Sequence, residues 1–323
     1  MPDFATLTPL SLSVLILLSV ALLKSVISQL APHEPLSFFQ FYCQRLADKV
    51  NKTSNSSGQQ TIAGLVAIVI TLTPLLIILW LFEAFVEVNW LWQGLLLYFA
   101  FGPFNIGQQS SKMAQAITAN QKYQARQLLD PWVLRDTDQL SNLGICKASI
   151  EMQLLRSLQQ GFVVACLFLS FGALSAIAYR LLLEMHYSWN AKRQGYSAFG
   201  LRVAQLVLLI QWLPSRLFSI ILMLSALGQN IVLHWRLLKG EFFRLNNDLA
   251  LHALALCLEV RLGGVAMYNK VKLRKNSFND QARQPEAKDI MLAISRLRYV
   301  NIISLTLLIL MTFASQFLSG SLS

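Results

Sequence analysis

The chain is short of charge and of cysteine, and both shortages restrict what it can be. Only 13% of its 323 residues are charged, whereas 55% are hydrophobic and the mean hydropathy is +0.50. This composition excludes an ordinary soluble enzyme and indicates an integral membrane protein. The four cysteines are scattered without CxxC or cysteine–histidine spacing, so the sequence predicts neither a zinc site nor a disulfide framework, and no metal ligands are assigned.

Nucleotide-binding and hydrolase motifs are also missing. The chain contains no P-loop, GxGxxG, GxSxG or HExxH sequence, so no motif indicates a cofactor or a reaction class. Its net charge of +11 would fit a nucleic acid, but the basic residues lie in loops between apolar runs. The positive-inside rule explains them more simply, so no nucleic-acid partner is predicted.

Apolar runs dominate what is present. A helix needs about 20 mostly apolar residues to cross a bilayer, and six runs come near that length. They predict an all-α, polytopic integral membrane protein with about six transmembrane helices and long helical cytoplasmic loops, forming one membrane domain over residues 1–323. The predicted spans are residues 11–29, 61–82, 85–101, 162–183, 201–228 and 300–318.

The distribution of lysine and arginine predicts the orientation. Segments 31–60, 105–160 and 229–299 hold 3, 6 and 12 of these residues, against Lys192 and Arg193 in the short loop that the six spans put on the other side. The positive-inside rule then makes the three segments cytoplasmic and puts both termini outside.

Arg216 is the most unusual residue of the spans, because it lies in an apolar run two residues after Pro214. Burying arginine in mid-bilayer costs at least about 2.5 kcal/mol, so Arg216 should face a partner, a pocket or water. Arg180, Lys192 and Arg202 lie in or beside the same spans, where Glu184 is the one carboxylate. This surplus either binds an anionic substrate or pairs with carboxylates from the long loops.

Three further groups have two readings each. The run LRDTDQLSNLGI, which contains Asp136, is either part of a site or a helix cap. His186 is either a catalytic base or an interfacial packing residue beside tyrosine and tryptophan. Gly263 and Gly264 are either part of a site or a helix stop.

The order of these motifs resembles that of the CobD/CbiB family. The resemblance rests on RDTDQLSNLGICKASIE, on AIAYRLLLEMHYSWNAKRQGYSAFGLRVAQLVLLIQWLPSRL and on NNDLALHALALCLEVRLGGVAMY. It runs from about Ala114 to the C-terminus and more weakly through the first three spans. It implies a membrane protein of cobalamin biosynthesis that joins an aminopropanol unit to cobyric acid through an amide bond. A corrinoid and an aminopropanol-type molecule would be its substrates, with ATP and magnesium as possible cofactors.

The resemblance also implies roles for individual residues. The catalytic candidates are Asp136 and Glu151, which match family residues, and His186, which stands where the family has an aspartate. The substrate-binding candidates are Arg135, Thr137, Arg180, Lys192, Tyr196, Arg216, Asn246, Gly263 and Gly264.

The departures from the family pattern suggest an alternative. After Glu151 this chain continues MQLLRSLQQGF instead of an acidic ENxxD stretch, and His186, Val207 and Leu208 stand where the family has aspartates. Magnesium prefers hard oxygen ligands, and these changes remove several. A second reading is therefore a non-catalytic membrane sensor or regulator on the same fold, similar to the AmpE branch.

Overall fold

A computed structural model describes residues 8–30, 36–52, 54–225, 236 and 238–320. The end of the predicted span 201–228 and parts of the predicted loops 31–60 and 229–299 lie outside these residues. The all-α, polytopic prediction is confirmed, because helices make up most of the described chain and five of them are long and apolar enough to cross a membrane. The described helices are α1 (Pro9–Leu30), α2 (Ser37–Val50), α3 (Ser57–Glu83), α4 (Asn89–Ala100), α5 (Ile106–Thr118), α6 (Lys122–Leu129), α7 (Asn142–Ser157), α8 (Val163–Phe171), α9 (Ala173–Ser188), α10 (Leu201–Leu224), α11 (Asp248–Cys257) and α12 (Ala287–Gly320).

Two predicted spans differ from the helices that form. The run 85–101 becomes α4, whose 12 residues are too few to cross a bilayer alone. The run 162–183 is broken at Gly172, where φ is +82°, and the long apolar helix instead extends from Asn142 to Phe171. Residues 158–162 form a π-helical turn that joins α7 to α8, so the polar residues before 162 belong to a helix rather than to a loop.

The segment 229–299 contains a β-hairpin, which corrects the expectation of a purely helical loop. Strand β1 (Leu262–Tyr268) pairs antiparallel with β2 (Val271–Phe278). Asn269 and Lys270 both have positive φ, at 47° and 64°, as a two-residue type I′ turn requires. Between Gly263 and Val265 the register shifts. The glycine pair therefore shapes a strand rather than ending a helix.

Helix α2 corrects the predicted orientation. The side chain of Asn51, at the end of α2, donates to the carbonyl of Gly195 at 2.8 Å, and Trp189 Nε1 donates to the carbonyl of Cys43 at 2.8 Å. Groups this close cannot lie on opposite sides of about 30 Å of hydrocarbon. The prediction that segment 31–60 and the Lys192 loop face opposite sides is therefore wrong. Which side is cytoplasmic stays a prediction.

Helix α9 occupies the centre of the bundle, where it packs against α2, α3, α4, α8 and α10. Helix α12 packs against α5 and α7 through its first turns, with Ile290, Ala293, Leu297 and Val300 buried. Most of its apolar residues further along are exposed, as expected for a helix that faces lipid. Helix α7 contacts β1 of the hairpin and continues through the π-helical turn into α8, which packs against α9.

Candidate functional site

The predicted Asp136 binds the tip of the hairpin. Its carboxylate accepts the backbone N–H groups of Asn269 and Lys270 at 3.2 and 2.7 Å. Its own N–H donates to the carbonyl of Met267 at 2.9 Å. Asp136 therefore holds a turn whose N–H groups point the same way.

Glu151 and Arg135 hold the other end of β1. The two side chains form an ion pair, and Glu151 Oε1 accepts the N–H of Gly263 at 3.0 Å. Gly263 has φ +73°, and a Cβ there would lie 2.1 Å from the carbonyl oxygen of Asn276. Only glycine fits without a backbone shift. We call Arg135, Asp136, Thr137, Glu151, Gly263 and Gly264 the hairpin clasp.

Thr137 closes the clasp on its helical side. Its hydroxyl donates to Asp130 Oδ1 at 2.6 Å, in the 3₁₀ turn Asp130–Trp132. The N-cap of α7 is Ser141, whose side chain accepts the N–H of Gly144 at 3.1 Å. The capping interpretation of the LRDTDQLSNLGI run is therefore confirmed for Ser141, which belongs to that run, whereas Asp136 holds the hairpin and Thr137 binds Asp130.

Arg216 lies in α10, is 2% exposed and binds oxygen atoms of the chain itself. Its guanidinium donates to the carbonyls of Phe242 at 2.8 Å and Asn246 at 3.2 Å, to that of Arg244, and to Ser215 Oγ at 2.7 Å. The expectation that Arg216 faces a partner rather than lipid is confirmed. Its donors are used to fix the segment 242–246, which leaves little capacity for an anion.

Asn246 connects Arg216 with the hairpin. Its carbonyl accepts from Arg216, and its side chain donates to Asp248 Oδ2 at 3.0 Å. The same carboxylate oxygen accepts from Asn276 of β2 at 2.9 Å. Asn246 is therefore placed between the two groups of predicted residues.

Arg180 and Glu184 form a buried ion pair one turn apart on α9. Arg180 Nη2 lies 2.6 Å from Glu184 Oε1, and the side chains are 2% and 0% exposed. Gln40 of α2 donates to Glu184 Oε2 at 2.6 Å. Among the described residues, Arg180 Nε and Nη1 make no hydrogen bond.

A network of neutral polar side chains beside this pair was not among the candidates. Gln211 donates to the hydroxyl of Tyr179 at 2.8 Å, which donates to the carbonyl of Gln159 at 3.0 Å. Tyr187 donates to Gln159 Oε1 and Asn247 to Gln211 Oε1, at 2.8 and 2.7 Å. The signal for this network was the presence of amide side chains inside apolar runs, since buried polar groups need partners.

The remaining candidates lie apart from the clasp. Within the described part of the chain His186 Nδ1 is buried without a partner. Burial, with Lys192 nearby, lowers the pKa of His186 to about 4, so the ring is neutral at pH 7. Lys192 is exposed. Tyr196 packs against Phe199, and its partial burial raises its pKa.

The carboxylates of the site do not fit a magnesium–nucleotide complex. Asp136, Glu151 and Glu184 each accept from N–H donors of the chain. No group of three or more His, Cys, Asp or Glu side chains in the described ranges could hold a metal ion. A cavity of about 500 Å³ between α5 and α12 contains none of the predicted residues; it is lined by Ser111, Ala114, Gln115, Thr118, Ala119, Ala287, Lys288 and Met291.

Comparison with known proteins gives one consistent result. A family model described as CobD/Cbib protein matches residues 16–297. Proteins named "Cobalamin biosynthesis protein CobD" are similar to this chain. That of Stutzerimonas stutzeri is 27% identical over 227 residues (70% of this chain and 75% of the relative), and that of Photorhabdus laumondii is 28% identical over 242 residues (72% and 75%). That of Chromobacterium violaceum is 28% identical over 206 residues (64% and 66%). No solved structure matches significantly.

Proposed function

The chain belongs to the CobD/CbiB family, and from that premise we propose that it acts in cobalamin biosynthesis, in the bacterial cytoplasmic membrane. Its reaction would join an aminopropanol unit to cobyric acid through an amide bond. The observation that supports this proposal is the convergence of motifs on one hairpin: Glu151 and Gly263 are 112 positions apart in sequence and are in direct contact.

The clasp residues act as positioning residues in this proposal. The carboxylates of Asp136 and Glu151 accept backbone N–H groups, so they fix the hairpin instead of transferring protons. Of the three catalytic candidates, His186 has a ring nitrogen without a partner among the described residues. In a balanced step, a neutral histidine would accept the proton that the amine loses as the C–N bond forms and would pass it to the carboxyl oxygen, which leaves as water.

The proposal gives no role to a nucleotide or to magnesium, because the described carboxylates do not fit them. The chain's own contributions would be to bind the corrinoid and the amine, to orient them and to exclude water. Lys192 is exposed, and the candidates that are partly exposed include Arg135, Asp136, His186, Tyr196 and Asn246. A substrate can reach these side chains without a structural change.

Complementation tests this proposal. The chain is expressed in a bacterium that lacks its own aminopropanol-attaching synthase and is supplied with cobyric acid; cobalamin-dependent growth is expected. His186→Ala should abolish growth, and the exposed Arg202→Gln should not. Absence of growth with protein shown to be in the membrane would contradict the proposal.

A non-catalytic membrane sensor on the same fold is the second candidate. The engagement of Asp136, Glu151 and Glu184 by internal donors favours it, since an enzyme of this kind needs carboxylates that are available to a substrate or its metal. Binding of cobyric acid to purified protein, without growth in the complementation strain, would support the second candidate over the first.

A further inference from the structure

Arg180 has unused hydrogen-bonding capacity at the centre of the bundle. A guanidinium carries five N–H donors, and three of them, on Nε and Nη1, have no acceptor among the described residues. The side chain is 2% exposed, so water does not supply the missing acceptors from the surface. A buried cation in this state is unfavourable unless a further partner arrives.

Helix α2 covers the ion pair with a partly buried face. Gln40 donates to Glu184, and the small side chains Cys43 and Ala47 are fully buried. The larger apolar side chains that pack against the core are only partly buried, namely Phe39, Leu46 and Val50. Hydrophobic stabilisation scales with the apolar area that is buried. Lifting α2 therefore costs less than displacing a helix whose large apolar side chains are fully buried.

The outer face of α2 is suited to the membrane surface. Phe38 is 80% exposed, and Phe41 and Tyr42 are exposed beside it. Arg45 and Lys49 are exposed on the same helix, and aromatic residues with cations are typical of interfacial helices. When α2 leaves α9, its aromatic and basic face can bind the membrane surface instead.

We propose that Arg180 is the anchor of a buried oxyanion site, that α2 is its lid, and that the ligand is a carboxylate or phosphate group. The ligand would replace Glu184 on the guanidinium and use the Nε and Nη1 donors, an arrangement that suits the bidentate geometry of arginine. Gln40 releases Glu184 as the lid lifts. No covalent bond changes. The identification of this oxyanion with a substrate group rests on the proposed function.

Cys43 reports the position of the lid. Its side chain is 0% exposed in the closed state, and burial raises the pKa of its thiol to about 12, which keeps the thiol unreactive. The full chain, with Cys146, Cys166 and Cys257 replaced by alanine, is placed in lipid nanodiscs and treated with a maleimide. Inorganic phosphate and cobyric acid are added in separate arms. Because a ligand that binds the open state shifts the population towards it, we expect at least one anion to raise the labelling rate about fivefold, with saturation.

Matched variants separate the lid from the anchor. Gln40→Leu should raise the basal labelling rate several-fold, whereas Gln44→Leu, on the exposed face of the same helix, should leave it unchanged. Arg180→Gln should abolish the response to the anion. If that variant is not folded, the double change Arg180→Gln with Glu184→Gln removes both charges and should give the same result. Arg202→Gln should retain the response.

The outcomes are distinct from those of complementation. A response to cobyric acid places a substrate carboxylate in the site, and a response to phosphate alone indicates a phosphate-bearing ligand. Either response without restored growth keeps the oxyanion site and rejects the proposed reaction. Failure of both anions to alter labelling, or a response that persists in the Arg180 variants, overturns the inference whatever complementation shows.

Discussion

The hairpin clasp and the Arg180–Glu184 pair contain the same kinds of side chain, but they differ in how many of their hydrogen-bonding groups have partners. In the clasp each carboxylate accepts from two donors: Asp136 from two backbone N–H groups, and Glu151 from Arg135 and Gly263. At Arg180, donors on two nitrogens have no acceptor within the described ranges. A saturated cluster maintains a structure, and an unsaturated one has capacity for a ligand. Family motifs contain both, so a motif alone does not identify the binding group.

The largest expected effect on stability comes from removing one partner of the buried Arg180–Glu184 ion pair. Arg180→Leu leaves Glu184 charged and fully buried, and we expect it to lower the free energy of unfolding by about 3–5 kcal/mol. The double change Arg180→Leu with Glu184→Leu should recover most of this loss. Denaturant titration in detergent micelles measures both. A single variant as stable as the parent would show that water already reaches the pair.

The second largest loss of stability should come from a substitution at Gly263 in the hairpin clasp. Gly263→Ala places a Cβ against the Asn276 carbonyl at a positive φ, and we expect a loss of about 3 kcal/mol. Gly264→Ala is the matched control, because a Cβ there meets nothing within 4 Å and only the strain of its φ remains. The same titration compares them, and equal losses would contradict the close approach at Gly263.

A smaller effect should follow from Glu151→Gln. The glutamine can still accept the N–H of Gly263 but no longer pairs ionically with Arg135, so we expect a loss of about 2 kcal/mol. A double-mutant cycle with Arg135→Gln isolates the pair. A coupling energy near zero would show that the Arg135–Glu151 ion pair does not stabilise the clasp.

The smallest effect should come from Thr137→Val, which keeps the shape and removes the hydroxyl that donates to Asp130. We expect a loss of about 1 kcal/mol. Thr306→Val, on the exposed part of α12, serves as the control and should change the unfolding free energy by less than about 0.5 kcal/mol. If the Thr137 variant is as stable as this control, the hydrogen bond between Thr137 and Asp130 does not stabilise the clasp.

The sequence predicted several particular features correctly. The long apolar runs at 61–82 and 300–318 lie within α3 and α12, because lipid imposes length and composition on a crossing helix. The need of Arg216 for polar partners followed from the cost of burying a charge. The run 85–101 failed as a crossing helix, since hydropathy does not report that a chain turns after 12 residues.

The candidate site was predicted as a set of residues and not as an arrangement. Asp136 binds the turn of the hairpin and Glu151 binds Gly263 at its other end, an arrangement that was not predicted, and His186 and Tyr196 do not join them. Gln159 and Gln211 were missed, because amide side chains carry no charge signal and are recognised as a network only when their partners are known.

The sequence by itself determined that this is a helical membrane protein of the CobD/CbiB family, because apolar length and motif order are properties of the chain. The tertiary structure alone decided that the glycine pair shapes a hairpin, that α2 shares a side with the Lys192 loop, and that Arg180 has donors without an acceptor among the described residues. The position of α2 depends on hydrogen bonds between residues more than 100 positions apart, such as Asn51 with Gly195, and no local pattern encodes such pairings.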